Sequence, residues 1–217
     1  MRLRNITGSR EVIGESRFVV HEPERFLGRW RERFGNENPV RVEIGMGKGR
    51  FLMEMAKRHP DINFIGIEKY SSVLLRAIQK LEESEQDGER LPNVALIRME
   101  AEDIGKVFGE GELDRIYLNF SDPWPKARHA KRRLPSGQFL ARYDRILKRD
   151  GEVEFKTDNR ELFEFAVEEA AEAGWKVKAL THDLHGDESL CRGNVMTEYE
   201  ERFCAEGNPI YKYIIYR

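Results

Sequence analysis

The sequence predicts an α/β protein with a doubly wound, mostly parallel sheet and helices on both of its faces. Short apolar stretches of strand length alternate with segments of helical periodicity almost from end to end. Glycines or acidic residues directly follow several of these strands, at the sheet edge where such folds bind ligands. The chain has 217 residues, of which 40% are apolar, so its length and core fit one domain.

The predicted elements follow one another in a regular order. Strands are predicted at Val40–Ile44, Asn63–Glu68, 93–99, 113–120, 151–157, 175–181 and 209–217. The first helix starts in the glycine-rich stretch after the first strand and must stop before Pro60. Further helices are predicted at 71–83, 136–148 with Ser136 as N-cap, 160–174, and after Thr197 as far as Gly207. Residues 83–90 are polar and predict a surface turn, and the whole pattern is that of a Rossmann-like sheet.

Composition excludes some classes of protein. The formal net charge of −2 argues against indiscriminate nucleic-acid binding but permits a local basic patch. Cys191 and Cys204 have no metal-ligand spacing, which favours a reducing cytoplasmic location. No apolar run approaches the ~18 residues of a membrane span, and the start lacks the apolar segment of a signal peptide. We therefore expect a single cytoplasmic domain over 1–217, with a short basic N-terminal arm at about 1–20.

The stretch EIGMGKGR after the first strand predicts a cofactor loop. Its glycines are Gly45, Gly47 and Gly49, whereas a dinucleotide fingerprint would require glycine at the position of Arg50. Alternate glycines let the backbone turn sharply and let a ligand lie against it. Glu43 stands just before the turn, where a carboxylate suits a cation such as the amino or sulfonium group of S-adenosylmethionine.

Acidic residues also follow the second and third strands. Glu68 ends its strand about 20 residues beyond the glycines, where an acid commonly accepts hydrogen bonds from the ribose hydroxyls of a nucleoside. After the third strand, Glu100 and Asp103 both compete to meet the exocyclic amine of adenine. Spacing alone does not choose between them.

The stretch NFSDPWP after the fourth strand predicts a rigid turn. Pro123 favours an extended conformation at Asp122, and Pro125 stiffens the next step. Such a turn would hold the Asp122 carboxylate and the Trp124 indole at fixed positions. The indole either stacks on a base or fills the gap between sheet and loop.

A cluster of basic residues comes directly after this turn. No acid interrupts it, whereas solvated helix faces usually mix charges of both signs. The pattern favours a phosphate-binding patch for a nucleic-acid backbone. The cluster consists of Lys126, Arg128, His129, Lys131, Arg132 and Arg133.

Taken together, these motifs closely resemble the bacterial tRNA (guanine-N7-)-methyltransferase family. The matching stretches are VEIGMGKGRF, GIEKY, LNFSDPWPKARHAKRRL, EFKTDNRELF and TEYEERF, which span most of the chain. The resemblance implies a class I methyltransferase fold and methyl transfer from S-adenosylmethionine to N7 of guanine 46 in the variable loop of tRNA.

The resemblance also implies roles for particular residues. Cofactor contacts are implied for Glu43, Glu68 and Glu100. The resemblance therefore favours Glu100 over Asp103 as the residue that meets adenine, although the family often has Asp or Asn at the position of Glu100. Asp122 is implied as the active-site acid, and it is also expected to contact the cofactor. The basic residues from Arg128 to Arg133 would contact RNA. Substrate contacts are implied for Lys126, Asp158, Thr197, Glu198, Tyr199 and Glu200.

Several alternatives stay open at the level of sequence. Asp158 fits the N-cap of the next helix, and Thr197 with Glu200 fits a capping box. An amino methyltransferase could use the Asp-Pro-Trp-Pro turn, and a non-catalytic RNA-binding protein could keep a vestigial cofactor pocket. No metal is expected, and the oligomeric state, monomer or homodimer, is left open.

Overall fold

The structure of the protein is a computed structural model that describes residues 8–217. The chain forms two compact units, of which one ends at Gly109 and the other spans Glu110–Arg217. The first seven residues of the expected basic arm lie outside the described residues. The extent of a single domain over 1–217 stays a prediction.

The first unit contains three parallel strands, β1 (Val40–Ile44), β2 (Asn63–Glu68) and β3 (Val94–Arg98), with β2 in the middle. Ile44 lies opposite Ile67, and Glu68 lies opposite Arg98, so the carboxyl ends of all three strands meet at one edge. The helices of this unit are α1 (Ser9–Glu15), α2 (Trp30–Phe34), α3 (Arg50–Arg58) and α4 (Ser71–Gln86), with 3₁₀ turns at Pro23–Phe26 and Ala101–Lys106.

Burial on both faces explains the almost continuous apolar runs of these strands. Every residue of β2 is buried. At Gly66, in the middle of β2, an added Cβ atom would clash with Met46 of the glycine loop and lie 2.8 Å from Leu52 Cδ2 of α3, so a side chain here would force both residues to shift. The glycine loop is thereby seated directly against the sheet.

The second unit contains a mixed sheet. β4 (Leu113–Asn119) and β5 (Leu147–Thr157) are parallel, while β7 (Tyr211–Tyr216) runs antiparallel to both β5 and β6 (Lys176–Thr181). The helices are α5 (Gly137–Ile146), α6 (Arg160–Glu172), α7 (Glu188–Cys191) and α8 (Glu198–Ala205), with a 3₁₀ helix at Ala127–Arg132. One sheet face packs Phe155 and Tyr213 against Phe163 of α6, with ring centroids 6.5 and 6.1 Å apart.

The opposite face of this sheet carries a ladder of ion pairs. Arg115 binds both Glu152 and Glu154, and Lys212 Nζ lies 2.7 Å from a Glu154 oxygen. Lys178 also pairs with Glu152. Strand alternation therefore separates an aromatic face from a charged one.

Three predicted boundaries were wrong. The surface turn predicted at 83–90 starts too early, because α4 continues through the polar helix formers as far as Gln86 and ends next to Asp87 and Gly88. The fifth strand begins at Leu147, four residues before the predicted start at Gly151, and the helix predicted at 136–148 therefore ends at Ile146. Ser136 is the N-cap residue of α5, but its hydroxyl donates to the Lys131 carbonyl at 3.4 Å rather than capping the helix.

Candidate active site

The glycine loop of the first unit has the backbone that the sequence predicts. Gly45, Gly47 and Gly49 have φ values of 76°, 60° and 77°, which side-chain-bearing residues rarely adopt. No atom lies within 4 Å of a Cβ built at Gly45 or Gly47, so the surface of the loop is open. Glu43, before the loop, is almost fully buried at 2% exposure.

Glu68 ties the second strand end to this loop. One carboxylate oxygen accepts a hydrogen bond from the Gly47 amide at 3.2 Å, and the other accepts from the Tyr70 amide at 2.9 Å. Burial raises the pKa of Glu68 above its ordinary value. Each oxygen keeps further acceptor capacity, so the carboxylate suits a pair of hydroxyl donors.

The two candidate acids after the third strand, Glu100 and Asp103, form ion pairs with different partners. Glu100 is exposed at the start of the 3₁₀ turn, and its carboxylate lies 3.7 Å from the ammonium of Lys69, the residue after Glu68. Asp103 forms a local ion pair with Lys106 at 2.7 Å. Among these residues, Glu100 is linked to the second strand end, whereas Asp103 is paired within its own turn.

The Asp-Pro-Trp-Pro turn of the second unit is strained. Phe120 and Trp124 have φ values of 52° and 43°, in the left-handed region that bulky side chains avoid. Such strain persists where surrounding contacts over-determine the backbone, and it is concentrated at functional sites. Asp122 is exposed between these two residues.

Part of the basic cluster folds back onto this turn. The His129 ring meets the Trp124 indole edge-on with centroids 5.6 Å apart, and the Arg132 guanidinium lies 5.1 Å from the centroid of the same indole. Arg133 Nε donates to the Pro123 carbonyl at 2.9 Å, and its Nη2 donates to the Trp124 carbonyl at 3.2 Å. The cluster therefore contains side chains that contact the turn as well as exposed ones.

The exposed members of the cluster are Lys126, Arg128, Lys131 and Arg132, of which Arg132 also lies over the Trp124 indole. Arg128 Nε donates to His129 Nε2 at 3.3 Å. Within the 3₁₀ helix at Ala127–Arg132, no residue is buried, which is consistent with a surface that can meet an extended anion. Contact of these residues with RNA stays a prediction.

The interpretation of Asp158 as a helix cap is wrong. The cap of α6 is Asn159, whose side chain accepts a hydrogen bond from the Leu162 amide at 2.8 Å. Asp158 lies half-buried at the end of β5, and burial raises its pKa. Burial and the nearby Asp158 charge also raise the pKa of Tyr199. The Asp158 carboxylate and the Tyr199 hydroxyl are thus close enough to interact electrostatically.

The segment Thr197 to Glu200 has both a capping role and an exposed face. Thr197 Oγ1 accepts from the Glu200 amide at 2.9 Å, and the Glu200 carboxylate accepts from the Thr197 amide at 3.4 Å, which completes a capping box. Glu200 is fully buried, whereas Tyr199 is 46% exposed. The Tyr199 ring stacks on Phe203 at 4.3 Å and lies 5.2 Å from Phe120. Substrate contact by this segment, including Glu198, stays a prediction.

Sequence reasoning missed Lys156. Its side chain is fully buried, and its ammonium donates to a Glu200 oxygen at 2.7 Å, the Val195 carbonyl at 2.9 Å and the Asn194 amide oxygen at 3.2 Å. Asn194 in turn donates to the other Glu200 oxygen at 2.7 Å. The only signal in the sequence was a lysine within an otherwise strand-like run, which does not reveal its partners about 40 residues away.

Residues 8–217 contain neither a membrane-spanning helix nor a cluster of metal-ligating side chains. Within that range, no helix is long and apolar enough to cross a membrane. The same residues contain no group of three or more histidine, cysteine, aspartate or glutamate side chains able to hold a metal ion.

Comparisons with known proteins support the classification of this chain as a methyltransferase. Residues 37–213 match a family model described as "Putative methyltransferase". A solved structure described as an antibiotic-related methyltransferase superposes with a TM-score of 0.63, at 19% identity, over 86% of this chain and 91% of the other. At that identity the likeness concerns the fold, and it confirms the Rossmann-like α/β class.

The glycine loop, the acidic strand ends and this fold define a class I methyltransferase. A tRNA (guanine-N(7)-)-methyltransferase of Lachnoclostridium phytofermentans is 57% identical over 217 residues, covering 100% of this chain and 99% of the relative. A protein with the same name from Geobacillus thermodenitrificans is 52% identical over 213 residues, covering 98% and 95%. The chain belongs to the bacterial tRNA (guanine-N7-)-methyltransferase family. The amino-methyltransferase alternative is not favoured.

Proposed function

We propose that this protein transfers a methyl group from S-adenosylmethionine to N7 of guanine 46 in the variable loop of tRNA. The observation that carries the proposal is 57% identity, over the whole chain, to a relative named for guanine-N7 methylation of tRNA. The nucleotide position follows from the motif resemblance. The geometry of the strand ends supports the chemistry.

The first unit supplies residues that fit an adenosine cofactor. The open surface over Gly45 and Gly47 admits a ligand against the backbone, because no side chain occupies it. Glu68 would accept hydrogen bonds from both ribose hydroxyls, Glu100 would meet the adenine amine, and Glu43 would balance the positive charge of the methionine part. When bound, S-adenosylmethionine supplies an electrophilic methyl group on a sulfonium.

The second unit supplies residues suited to the target base. N7 of guanine is an acceptor lone pair with no proton to remove, so no strong general base is needed. The main task of the enzyme is to align N7 with the methyl carbon and sulfur, so that the N–C bond forms as the C–S bond breaks. Asp122 would accept hydrogen bonds from guanine N1–H and N2–H and would stabilise the positive charge that develops on the base.

RNA shape predicts that the target guanine leaves its stack. N7 faces the deep and narrow major groove of folded RNA, which side chains cannot enter. Trp124 and Tyr199 are aromatic candidates to receive the extruded base. The basic cluster would meanwhile bind phosphates without reading sequence.

The decisive experiment is incubation of the protein with an unmodified tRNA transcript and labelled S-adenosylmethionine, followed by nucleoside analysis. We expect 7-methylguanosine, and we expect a transcript with adenosine in place of guanosine 46 to receive none. Formation of N6-methyladenosine would instead support the amino-methyltransferase alternative. Binding of tRNA with no transfer and no cofactor affinity would support a non-catalytic RNA-binding protein.

A cytoplasmic location follows from the proposed tRNA substrate and from the cysteine pattern, and it stays a prediction.

A further inference from the structure

The Asp-Pro-Trp-Pro turn cannot stabilise itself through its own backbone. Pro123 and Pro125 each remove a backbone N–H donor, and the left-handed conformation of Trp124 is unfavourable for a bulky residue. The carbonyls of Pro123 and Trp124 nevertheless both accept hydrogen bonds. Both come from one guanidinium, that of Arg133.

Arg133 is itself held on a rigid element. Its guanidinium lies 4.3 Å from the centroid of the Phe165 ring, which belongs to α6, and the side chain is half-buried. Two of its three guanidinium nitrogens donate to the turn. The planar fork of arginine suits two acceptors at once, whereas the single ammonium of lysine does not. Arg133 therefore links α6 to the carbonyls that flank the Trp124 indole.

We propose that Arg133 is a positioning residue that sets the Asp-Pro-Trp-Pro turn, and through it the Asp122 carboxylate, rather than a phosphate-binding member of the basic cluster. The proposal rests on the proposed function, because it assumes that Asp122 orients the base. The proposal assigns two different roles within the basic cluster, although all its members are basic. Arg133 positions the turn, while exposed residues such as Lys131 remain available to bind RNA.

The two roles differ in what each variant loses. A phosphate contact depends on charge, so Arg133→Lys would preserve it, and Arg133→Ala would lower the salt slope of tRNA binding by about one unit. A positioning role depends on the planar guanidinium, which donates two hydrogen bonds at once and which neither lysine nor alanine can replace. Both variants would then slow methyl transfer at saturating tRNA and cofactor by roughly 10- to 100-fold, the scale of a small misplacement of an aligned group. The salt slope would stay at the wild-type value.

Arg142→Ala is the matched control. Arg142 also donates to a carbonyl, that of Gln138 at 3.0 Å, and its guanidinium also lies 5.0 Å from an aromatic centroid, that of Phe139. It stands on α5 and belongs neither to the turn nor to the basic cluster. Loss of its charge and contacts should leave the transfer rate within about twofold of wild type.

The test is single-turnover methylation of an unmodified tRNA transcript by wild type, Arg133→Ala, Arg133→Lys and Arg142→Ala, with tRNA affinity measured across salt concentrations. Slow transfer by both Arg133 variants with an unchanged salt slope supports the proposal. A wild-type rate in Arg133→Lys, or a lowered slope with an undiminished rate in Arg133→Ala, overturns it. If Arg133→Ala does not fold, the lysine variant decides. Absence of 7-methylguanosine with the wild-type protein would instead refute the proposed function.

Discussion

Replacement of Glu68 by alanine tests the cofactor site most directly. The carboxylate is 6% exposed and already accepts the Gly47 and Tyr70 amides at 3.2 and 2.9 Å. If Glu68 binds the two ribose hydroxyls as proposed, loss of those hydrogen bonds should weaken cofactor binding by about 1.5–3 kcal/mol, since the acceptor is charged. That free energy corresponds to a Kd raised roughly 10- to 150-fold.

The structure also orders the possible Glu68 variants. Alanine frees the Gly47 amide and loosens the glycine loop, so Glu68→Ala belongs at the upper end of this range. Glutamine keeps the shape and one acceptor oxygen, so Glu68→Gln belongs at the lower end. Glu102→Ala is the control, because Glu102 is an exposed acid of the neighbouring 3₁₀ turn outside the predicted site. Titration calorimetry with S-adenosylmethionine measures all three, and a Glu68→Ala affinity equal to that of wild type would refute the assignment.

The raised pKa of Glu68 predicts different effects of its ionised carboxylate on cofactor affinity and on the stability of the fold. Burial raises this pKa above 4.5, so the folded state binds the proton more tightly than the unfolded state. The resulting contribution to stability is fully present below pH 4.5 and is lost as pH rises through the folded pKa. At neutral pH the buried charge therefore does not stabilise the fold, and Glu68→Gln should bind cofactor weakly without losing thermal stability. In wild type, cofactor affinity should begin to fall above pH 4.5 as the pH is lowered.

Three further predictions concern the second unit. Asp122→Asn should slow single-turnover methyl transfer by about 10²–10³-fold, with far less change in tRNA affinity, because one preorganised charge is removed while phosphate contacts remain. If the wild-type rate depended steeply on pH between about 6 and 8, and this dependence disappeared in Asp122→Asn, Asp122 would be a general base instead. Lys126→Ala with Lys131→Ala should lower the salt slope of tRNA binding by about two units, and an unaltered slope would mark both as solvated residues only. Lys156→Met should reduce the free energy of unfolding by about 3–5 kcal/mol, because the buried Glu200 carboxylate loses its ammonium partner. Lys156→Met with Glu200→Gln should recover much of the loss in chemical denaturation.

The parts of the fold that depend on local pattern could be predicted from the sequence. The bounds of Val40–Ile44 and Asn63–Glu68 agree with the structure. The first run lies between Pro39 and Gly45, and the second ends at Glu68 before Lys69. The acidic residue at the end of β2 was predictable for the same reason, since a strand end defines a sheet edge. The α/β class with a mostly parallel sheet followed from the alternation of strands with helices.

The parts that depend on tertiary contacts could not be predicted. Charge pattern placed Arg133 with its basic neighbours, but its two acceptors are backbone carbonyls, which leave no trace in residue type. Asp158 and Asn159 are both good capping residues, and only the backbone shows that Asn159 accepts the Leu162 amide. Because Asn159 fills the cap, the Asp158 carboxylate is not used in capping and interacts electrostatically with Tyr199.

The buried Lys156–Glu200 pair is better explained by orientation than by stability. Two charges removed from water gain little over a well-packed apolar pair, so burial of this kind is weak evidence for stabilisation. Glu200 is, however, joined at once to Lys156 of β5, to Asn194 and to the Thr197 amide, at 2.7, 2.7 and 3.4 Å. These directional bonds fix the rotation of α8 about its axis, which an apolar contact would leave free to shift. Tyr199 immediately precedes Glu200, so that rotation determines where its exposed ring and hydroxyl lie relative to Asp158. The ion pair thus connects the end of β5 to Tyr199, the exposed aromatic ring of the capping segment.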